Sequence, residues 1–311
     1  MSFTISAIDV PVTWAQIPWE TLRGVILVVG AVDTGKTTLV RYVWQRIAHG
    51  GAVALVDADV GQSILGPPTT QTLRLASPEQ PHRFPPRGRL ARWFVGSVSP
   101  RGHMLPTVIG AFRLVERARK WGAKCILVDT TGMVHPSVGG VALKWAQFDL
   151  IRPHVVVAIQ REDELEPLIA PWRRSHRFRL IELPVSSSAR PRSRESRIAW
   201  RQYRFRLYFQ RAQEMVVPLS RVPVLGETRL STGRLIGFLD RGGFLVALGI
   251  IREVAETHLR VWTPLRTLER VDVIRVGSIF LDDDFRDHRV LRHSLSEGHI
   301  PGGEDEVGKG E

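Results

Sequence analysis

Short apolar runs alternate with segments of helical period through about residue 185. The runs are GVILVVG (24–30), AVALVD (52–57), RWFVGS (92–97), KCILVD (124–129) and HVVVAIQ (154–160), with helical patterns over 36–49 and 106–121 between them. Such alternation predicts an α/β fold, a doubly wound and mainly parallel sheet with helices on both faces. After Met215 the texture changes, because RLIGFLD and FLVALGII flank the turn DRGG and show no helical period. A small, mostly β domain is expected over 216–284. It follows a short N-terminal segment (1–22) and the α/β domain (23–215), and an acidic, Gly-rich tail (285–311) reads as disordered.

Composition narrows the class. The 311 residues are 43% hydrophobic, enough for a large core, and no apolar run reaches the roughly 20 residues of a membrane helix. The N-terminus has no signal-peptide pattern, and the single cysteine, Cys125, excludes an intramolecular disulfide. A soluble cytoplasmic protein is the expectation. The formal charge of +12 points to a polyanionic partner. That charge is concentrated, with twelve arginines against Glu182 and Glu195 between Arg173 and Arg211.

The first apolar run opens into GAVDTGKTT (30–38), which fits G-x-x-x-x-G-K-[ST] between a strand and a helix. Its glycines let backbone N–H groups converge on phosphate oxygens, and the helix N-terminus adds partial positive charge. Gly30, Asp33, Thr34, Gly35, Lys36, Thr37 and Thr38 are therefore the candidate nucleotide-binding set. Lys36 is expected at the β/γ-phosphates and Thr37 on Mg²⁺. No guanine-reading N-K-x-D follows a later strand, so the triphosphate is ATP by default or GTP.

The next run ends in DADVGQ (57–62) at the strand edge where open α/β sheets bind ligands. A kinase acting on a hydroxyl needs a carboxylate there to orient the acceptor and take its proton. Asp59 is the candidate base and, through water, a metal neighbour. Asp57 either shares that role or caps the turn. Asp129, ending KCILVD, either acts on the metal through water or initiates a turn.

Further along, Arg190, Arg194, Arg197, Arg201 and Arg204 recur at four- and three-residue intervals, one stripe if the segment is helical. Trp200, Tyr203 and Leu207 fall on one flank and Ile198, Phe205 and Phe209 on the other, which predicts a helix docked against the body with its basic edge toward a cleft. A mobile helix bearing arginines can neutralise charge on a transferring phosphoryl group and exclude water. Such a lid is expected over about 186–212, with Arg192 and Arg206 merely solvated.

Taken in order, GAVDTGKTT, DADVGQ, FVGSVSPRGH (94–103), VDTTGMVHPSVGG (128–140), RSRESRIAWRQYRFRLYF (192–209) and the LIGFLD…WTPL block resemble the Clp1/Grc3/Nol9 family of polynucleotide 5'-hydroxyl kinases. The resemblance implies a P-loop NTPase fold and transfer of the γ-phosphate to a 5'-OH end of RNA or single-stranded DNA, with no membrane partner. It implies that Asp59 activates the hydroxyl and that Gln62 positions the substrate end. Thr131, Gly132 and Met133 match the clasp that holds the terminal nucleotides. Ser97, Ser99 and His103 would lie near the terminal phosphodiester, or in a solvated loop. Arg197 and Arg201 match the R-x-x-x-R pair of the family's catalytic lid, leaving Arg190, Arg194 and Arg204 for the polyanionic substrate.

Two departures stand out. Family members often carry Trp at the position of Met133, for which Trp145 is a candidate substitute unless it is core. The additional N-terminal β domain of eukaryotic members is not expected, and Trp14 and Trp19 either supply apolar surface beside the nucleotide or do not. His135 reads as a loop histidine and Cys125 as core. The alternative function is a nucleotide-bound, catalytically weak scaffold for RNA processing.

Overall fold

A computed structural model describes residues 10–48, 51–226 and 230–289. Strand β1 (Gly24–Gly30) is buried on both sides, as its unbroken apolar run requires of a central parallel strand. It lies between β5 (Cys125–Asp129) and β6 (Val155–Gln160). The full sheet runs β4 (Leu90–Phe94), β3 (Thr70–Leu75), β2 (Val53–Asp57), β5, β1, β6, β7 (Arg179–Pro184). Six strands run in one direction and only β3 is reversed, antiparallel to both β2 and β4.

Helices α3 (Met104–Lys120) and α4 (Gly140–Ile151) cover one face, where Ala111, Leu114, Val115 and Phe148 pack on Val25, Leu27, Ala54 and Val56. The short helix α5 (Glu166–Ile169) adds Leu168 and Ile169 to that layer. The opposite face carries α2 (Lys36–Ile47) and the one-turn helix α1 (Val12–Ala15). Trp14 and Trp19 are almost wholly buried there among α2 side chains. Their indole N–H groups donate to Pro184 O at 3.1 Å and Trp14 O at 2.7 Å. They are core residues, not surface offered to a nucleotide. The same rule of apolar burial accounts for Cys125, whose thiol burial pushes up to about 11.

Helix α6 (Arg194–Phe209) starts at Ser193, whose hydroxyl accepts the Ser196 N–H at 3.1 Å. Phe205 and Phe209 are its buried face, while Tyr203 and Leu207 are 55% and 51% exposed. Of the flank read as Trp200, Tyr203 and Leu207, only Trp200 is half-buried, and the helix is seated mainly by Phe205 and Phe209 with Tyr208 beside them. Arg190 precedes the helix and so leaves the stripe.

The second sheet begins at Gln213, three residues before the texture change marks it. Its order is β14 (Asp287–Arg289), β13 (Val273–Leu281), β10 (Arg234–Leu239), β11 (Leu245–Val254), β12 (His258–Thr263), β8 (Gln213–Pro218), with β9 (Val224–Leu225) beside β13. It has a core of its own around Ile236, Phe238, Val261 and Ile274. A second cluster joins Leu235, Leu248 and Ile279 to Phe94, Phe205 and Phe209, so α6 and the edge strand β4 are sealed against this sheet. Strand β14 lies within the stretch expected to be a disordered tail, because it pairs with β13; the rest of that tail from 290 is outside the described residues. Strand β4 likewise begins and ends earlier than RWFVGS suggests, since Gly96 adopts φ 81° and breaks the extended run.

Candidate active site

The carboxyl ends of β1, β2 and β5 present Gly30, Asp57 and Asp129 side by side, with Asp57 opposite Asp129 in register. Above them the phosphate loop turns through Asp33 (φ 59°) and Gly35 (φ 82°), and Gly35 caps α2 without a side-chain hydrogen bond. A Cβ on Gly30 would lie 2.8 Å from Ile159 O, so only glycine permits this approach. The free N–H groups of the first α2 turn are what a phosphate would meet.

Lys36 is buried, and its Nζ donates to Ala31 O at 2.6 Å within the loop. Burial lowers its pKa, opposed by Asp129, Asp59 and Asp33. Thr34 Oγ1 donates to the same carbonyl at 3.0 Å. Thr37 Oγ1 donates to Asp129 Oδ2 at 2.8 Å, which brings a hydroxyl and a carboxylate together at the helix start. Burial pushes Asp129 up to about 7, with repulsion from Asp57 added and Lys36 opposing.

Asp57 is a loop organiser. Its carboxylate accepts from Ser63 Oγ (2.8 Å), Ile64 N (2.7 Å), Leu65 N (2.9 Å) and Asp59 N (3.2 Å). Of the two readings of this residue, the geometry matches the turn cap. Burial pushes it up to about 6, opposed by the Leu65 amide and reinforced by Asp59. Asp59 accepts from Gly61 N at 2.9 Å and Gln62 N at 3.0 Å, both on Oδ1. Gln62 Nε2 donates to Gly61 O at 2.9 Å and to Arg197 O of α6 at 3.3 Å, while its Oε1 is buried with no hydrogen-bond partner. An orphaned acceptor between Asp59 and the arginine helix is fit for a donor from a substrate.

The arginine helix touches this floor at several points. Arg197 ion-pairs with the Asp33 carboxylate of the phosphate loop, which also accepts the Arg192 N–H at 3.0 Å. Arg204 donates to Gly66 O at 2.7 Å and Trp200 Nε1 to Ser63 O at 3.4 Å. Arg201 points elsewhere: its guanidinium holds Asp287 of β14 through Nε (2.8 Å) and an Nη (3.1 Å). Arg194 is exposed in the first turn, and Arg206 lies 3.8 Å from Asp284.

Gly132 presses against the phosphate loop, since a Cβ there would sit 2.8 Å from Val32 N. Thr131 is buried and Met133 half-buried on either side of it. Lys144, which sequence reasoning missed, is wholly buried beneath this loop and donates to Thr130 Oγ1 (2.8 Å) and Thr131 O (2.7 Å). Burial lowers it to about 7, with Lys36 adding repulsion. A lysine inside GVALKWAQFDLI gives no sign of burial, because the stripe it sits on is otherwise ordinary. Trp145, one residue on, donates to Leu168 O of α5 at 3.2 Å and is 39% exposed, so it is not a core residue. Ser99 Oγ accepts Arg101 N at 3.2 Å and Ser97 Oγ accepts Ser99 N at 3.3 Å, so both organise their own loop. His103 bounds α3, and His135 accepts the Ser137 N–H in a loop turn.

Residues 30–211, which carry all of these contacts except those from the second sheet, match the model of the mRNA cleavage and polyadenylation factor CLP1 P-loop. The chain belongs to the CLP1 P-loop family. As a CLP1 P-loop protein it is 30% identical to a polyribonucleotide 5'-hydroxyl-kinase of Pyrococcus furiosus, over 86% of this chain and 90% of the relative. A second such kinase, from Pyrococcus abyssi, is 27% identical over 83% and 88%. A third, from Methanocaldococcus jannaschii, is 32% identical over 68% of this chain and 57% of its own. The solved complex of wild-type Clp1p with Pcf11p shares the fold, with a TM-score of 0.64 at 13% identity over 86% of this chain and 77% of that one. No helix among the described residues is long and apolar enough to cross a membrane.

Proposed function

We propose that this CLP1 P-loop protein is a polynucleotide 5'-hydroxyl kinase that moves the γ-phosphate of ATP or GTP to the 5'-OH end of RNA or single-stranded DNA. The observation that carries the reading is the convergence of Lys36, the Thr37–Asp129 pair, Asp59 with the unpaired Gln62 Oε1, and Arg197 at one strand edge. The names of its relatives support the same chemistry. A single buried cysteine suits a reducing cytoplasm.

The triphosphate lies along Gly30 to Thr38, its oxygens taken by loop N–H groups and Lys36. The 5'-hydroxyl donates toward Asp59 and is oriented by Gln62. In-line attack on the γ-phosphorus breaks the bond to the β–γ bridging oxygen, and the hydroxyl proton passes to Asp59. Lys36 and Arg197 balance charge on the moving phosphoryl group. Arg197 reaches it by leaving Asp33, and Arg201 only if its pair with Asp287 opens. Thr131, Gly132, Met133 and Ser99 border the terminal nucleotides, and Arg194 the strand beyond.

Thr37 and Asp129 form an all-oxygen donor pair beside the phosphate loop, which fits a hard cation such as Mg²⁺. Among the described residues no group of three His, Cys, Asp or Glu side chains is arranged to hold a metal alone, so Thr37 and Asp129, with Asp59 nearby, would hold the ion together with the triphosphate. There it would supply charge neutralisation for the phosphate oxygens.

The test is transfer of labelled phosphate from ATP or GTP, with Mg²⁺, to 5'-OH oligonucleotides. Asp59→Ala is expected to lower kcat about 10²- to 10⁴-fold while triphosphate affinity is retained. Triphosphate binding with no transfer to RNA or DNA ends by the unaltered protein would overturn the proposal in favour of a nucleotide-bound scaffold.

A further inference from the structure

A cavity of about 550 Å³ opens where the C-terminal end of α6 meets the second sheet, and Arg92, Tyr208, Arg211 and Arg266 line it with Leu207 and Val246. Three guanidinium groups share this space, and among its lining residues there is no acid. Arg92 Nε is buried with no hydrogen-bond partner. Its guanidinium stands 5.8 Å from the centre of the Tyr208 ring, whose hydroxyl is held by the Leu248 N–H at 2.9 Å. Arg266 is held too, through Arg211 O at 2.9 Å. An orphaned donor, a fixed ring and unopposed cations make an anion site with a stacking surface.

Its place in the fold connects it to the chemistry. Asp129, Asp57, Thr72 and Arg92 are cross-strand partners in one row, and partners in a row point to the same face. Arg92 thus lies two strands from Asp57, about 10 Å away. Arg204, seated on Gly66 O, bridges the interval. Burial lowers the pKa of Arg92, with Tyr208 opposing and Arg204 adding repulsion, while burial and then Arg92 itself lower that of Arg74. A polyanion laid along this series relieves a repulsion already present. The rise from Arg197 to Tyr208 along α6 is about 16 Å, farther than the terminal nucleotide reaches.

We infer that this cavity is a second nucleic-acid site, which takes backbone phosphates and a base of the substrate strand downstream of the reacting 5' end. The inference rests on the kinase reading for the strand's identity. Its test is read by binding, independently of transfer. Fluorescence anisotropy with 3'-labelled single strands bearing a free 5'-OH would compare the unaltered protein with Arg211→Gln/Arg266→Gln, both exposed positions, and then with Arg92→Gln added. Removing two phosphate contacts flattens the salt slope of log K by about 1.4, so a fourfold rise in salt weakens the unaltered protein about sevenfold more than the double variant. The variant-to-parent ratio of dissociation constants should grow from near one for about 2 nucleotides to about tenfold for about 16. A ratio independent of length, or an unchanged salt slope, overturns the inference and leaves the kinase proposal standing. Absence of phosphate transfer with length-dependent binding intact would instead count against the kinase proposal alone.

Discussion

Arg201 lends itself to a decisive experiment, because its position separates two roles that its sequence context merges. The family resemblance implies a part in phosphoryl transfer for it, yet its guanidinium is held by both oxygens of Asp287. The two side chains are only 14% and 7% exposed, so the pair is largely withdrawn from water. Removing one partner of such a pair strands the other charge, at a cost of about 3–5 kcal/mol, far above the ~0–1 kcal/mol of an exposed pair. Urea unfolding of Arg201→Ala, Asp287→Ala and the double variant would form a cycle in which the coupling should reach about 2 kcal/mol or more. Transfer rates at saturating triphosphate then divide the roles. If Arg201 serves to fix α6 against β14, the two single variants lose kcat equally. If it also meets the phosphoryl group, Arg201→Ala loses at least about tenfold more than Asp287→Ala. A coupling below about 0.5 kcal/mol would refute the reasoning, since the pair would then behave as a surface contact.

Gly132→Ala places a Cβ 2.8 Å from Val32 N, so the phosphate loop must shift; triphosphate affinity should fall with a stability loss of about 1–3 kcal/mol, read by calorimetry with and without nucleotide. Asp33→Asn removes the phosphate-loop carboxylate that holds Arg197 and acts electrostatically on Lys36; triphosphate should bind about fivefold tighter, from about 1 kcal/mol of relieved repulsion, by equilibrium titration. Lys144→Met tests the buried cation. Its folded pKa is lowered to about 7 from 10.5, so the unfolded chain holds the extra proton between those values and stability rises with pH across that window. Denaturation from neutral to alkaline pH should show the unaltered protein gaining on the variant by at most about 5 kcal/mol, and parallel profiles would contradict the assignment.

The central strands and the phosphate loop were legible because a strand buried on both faces must be apolar throughout, and because the loop's glycines are dictated by close backbone approach. Strand β3 was not, since TQTLRL places Thr70, Gln71 and Thr72 in the interior, where Gln71 Nε2 finds Ala58 O and Thr107 O. Edge strand β7 was not either, since Leu180 packs on the α3/α4 layer while Ile181 and Leu183 enter the α2 layer, so RLIELP shows no simple apolar alternation. The arginine periodicity predicted α6, but not which cations pair: Asp33 is distant in sequence and Asp287 sits in a stretch whose composition suggests disorder. Lys144 and the Arg92 cavity share that limit, because burial of a charge is decided by tertiary neighbours and leaves no local pattern.

Gly96 and Gly277 meet backbone to backbone, where a Cβ on Gly96 would fall 3.1 Å from Gly277 Cα. Ser278 donates to Gly96 O through its N–H at 2.8 Å and its hydroxyl at 3.1 Å. The loop that begins at Gly96 is therefore clamped to β13, and the Phe94 side chain beside it is roofed by the same sheet. Cutting the chain after α6 would not yield a portable catalytic half. It would bare Phe94, Phe205 and Phe209 together as a sticky patch and release the loop at Gly96, so truncated forms and domain grafts must carry both sheets or neither.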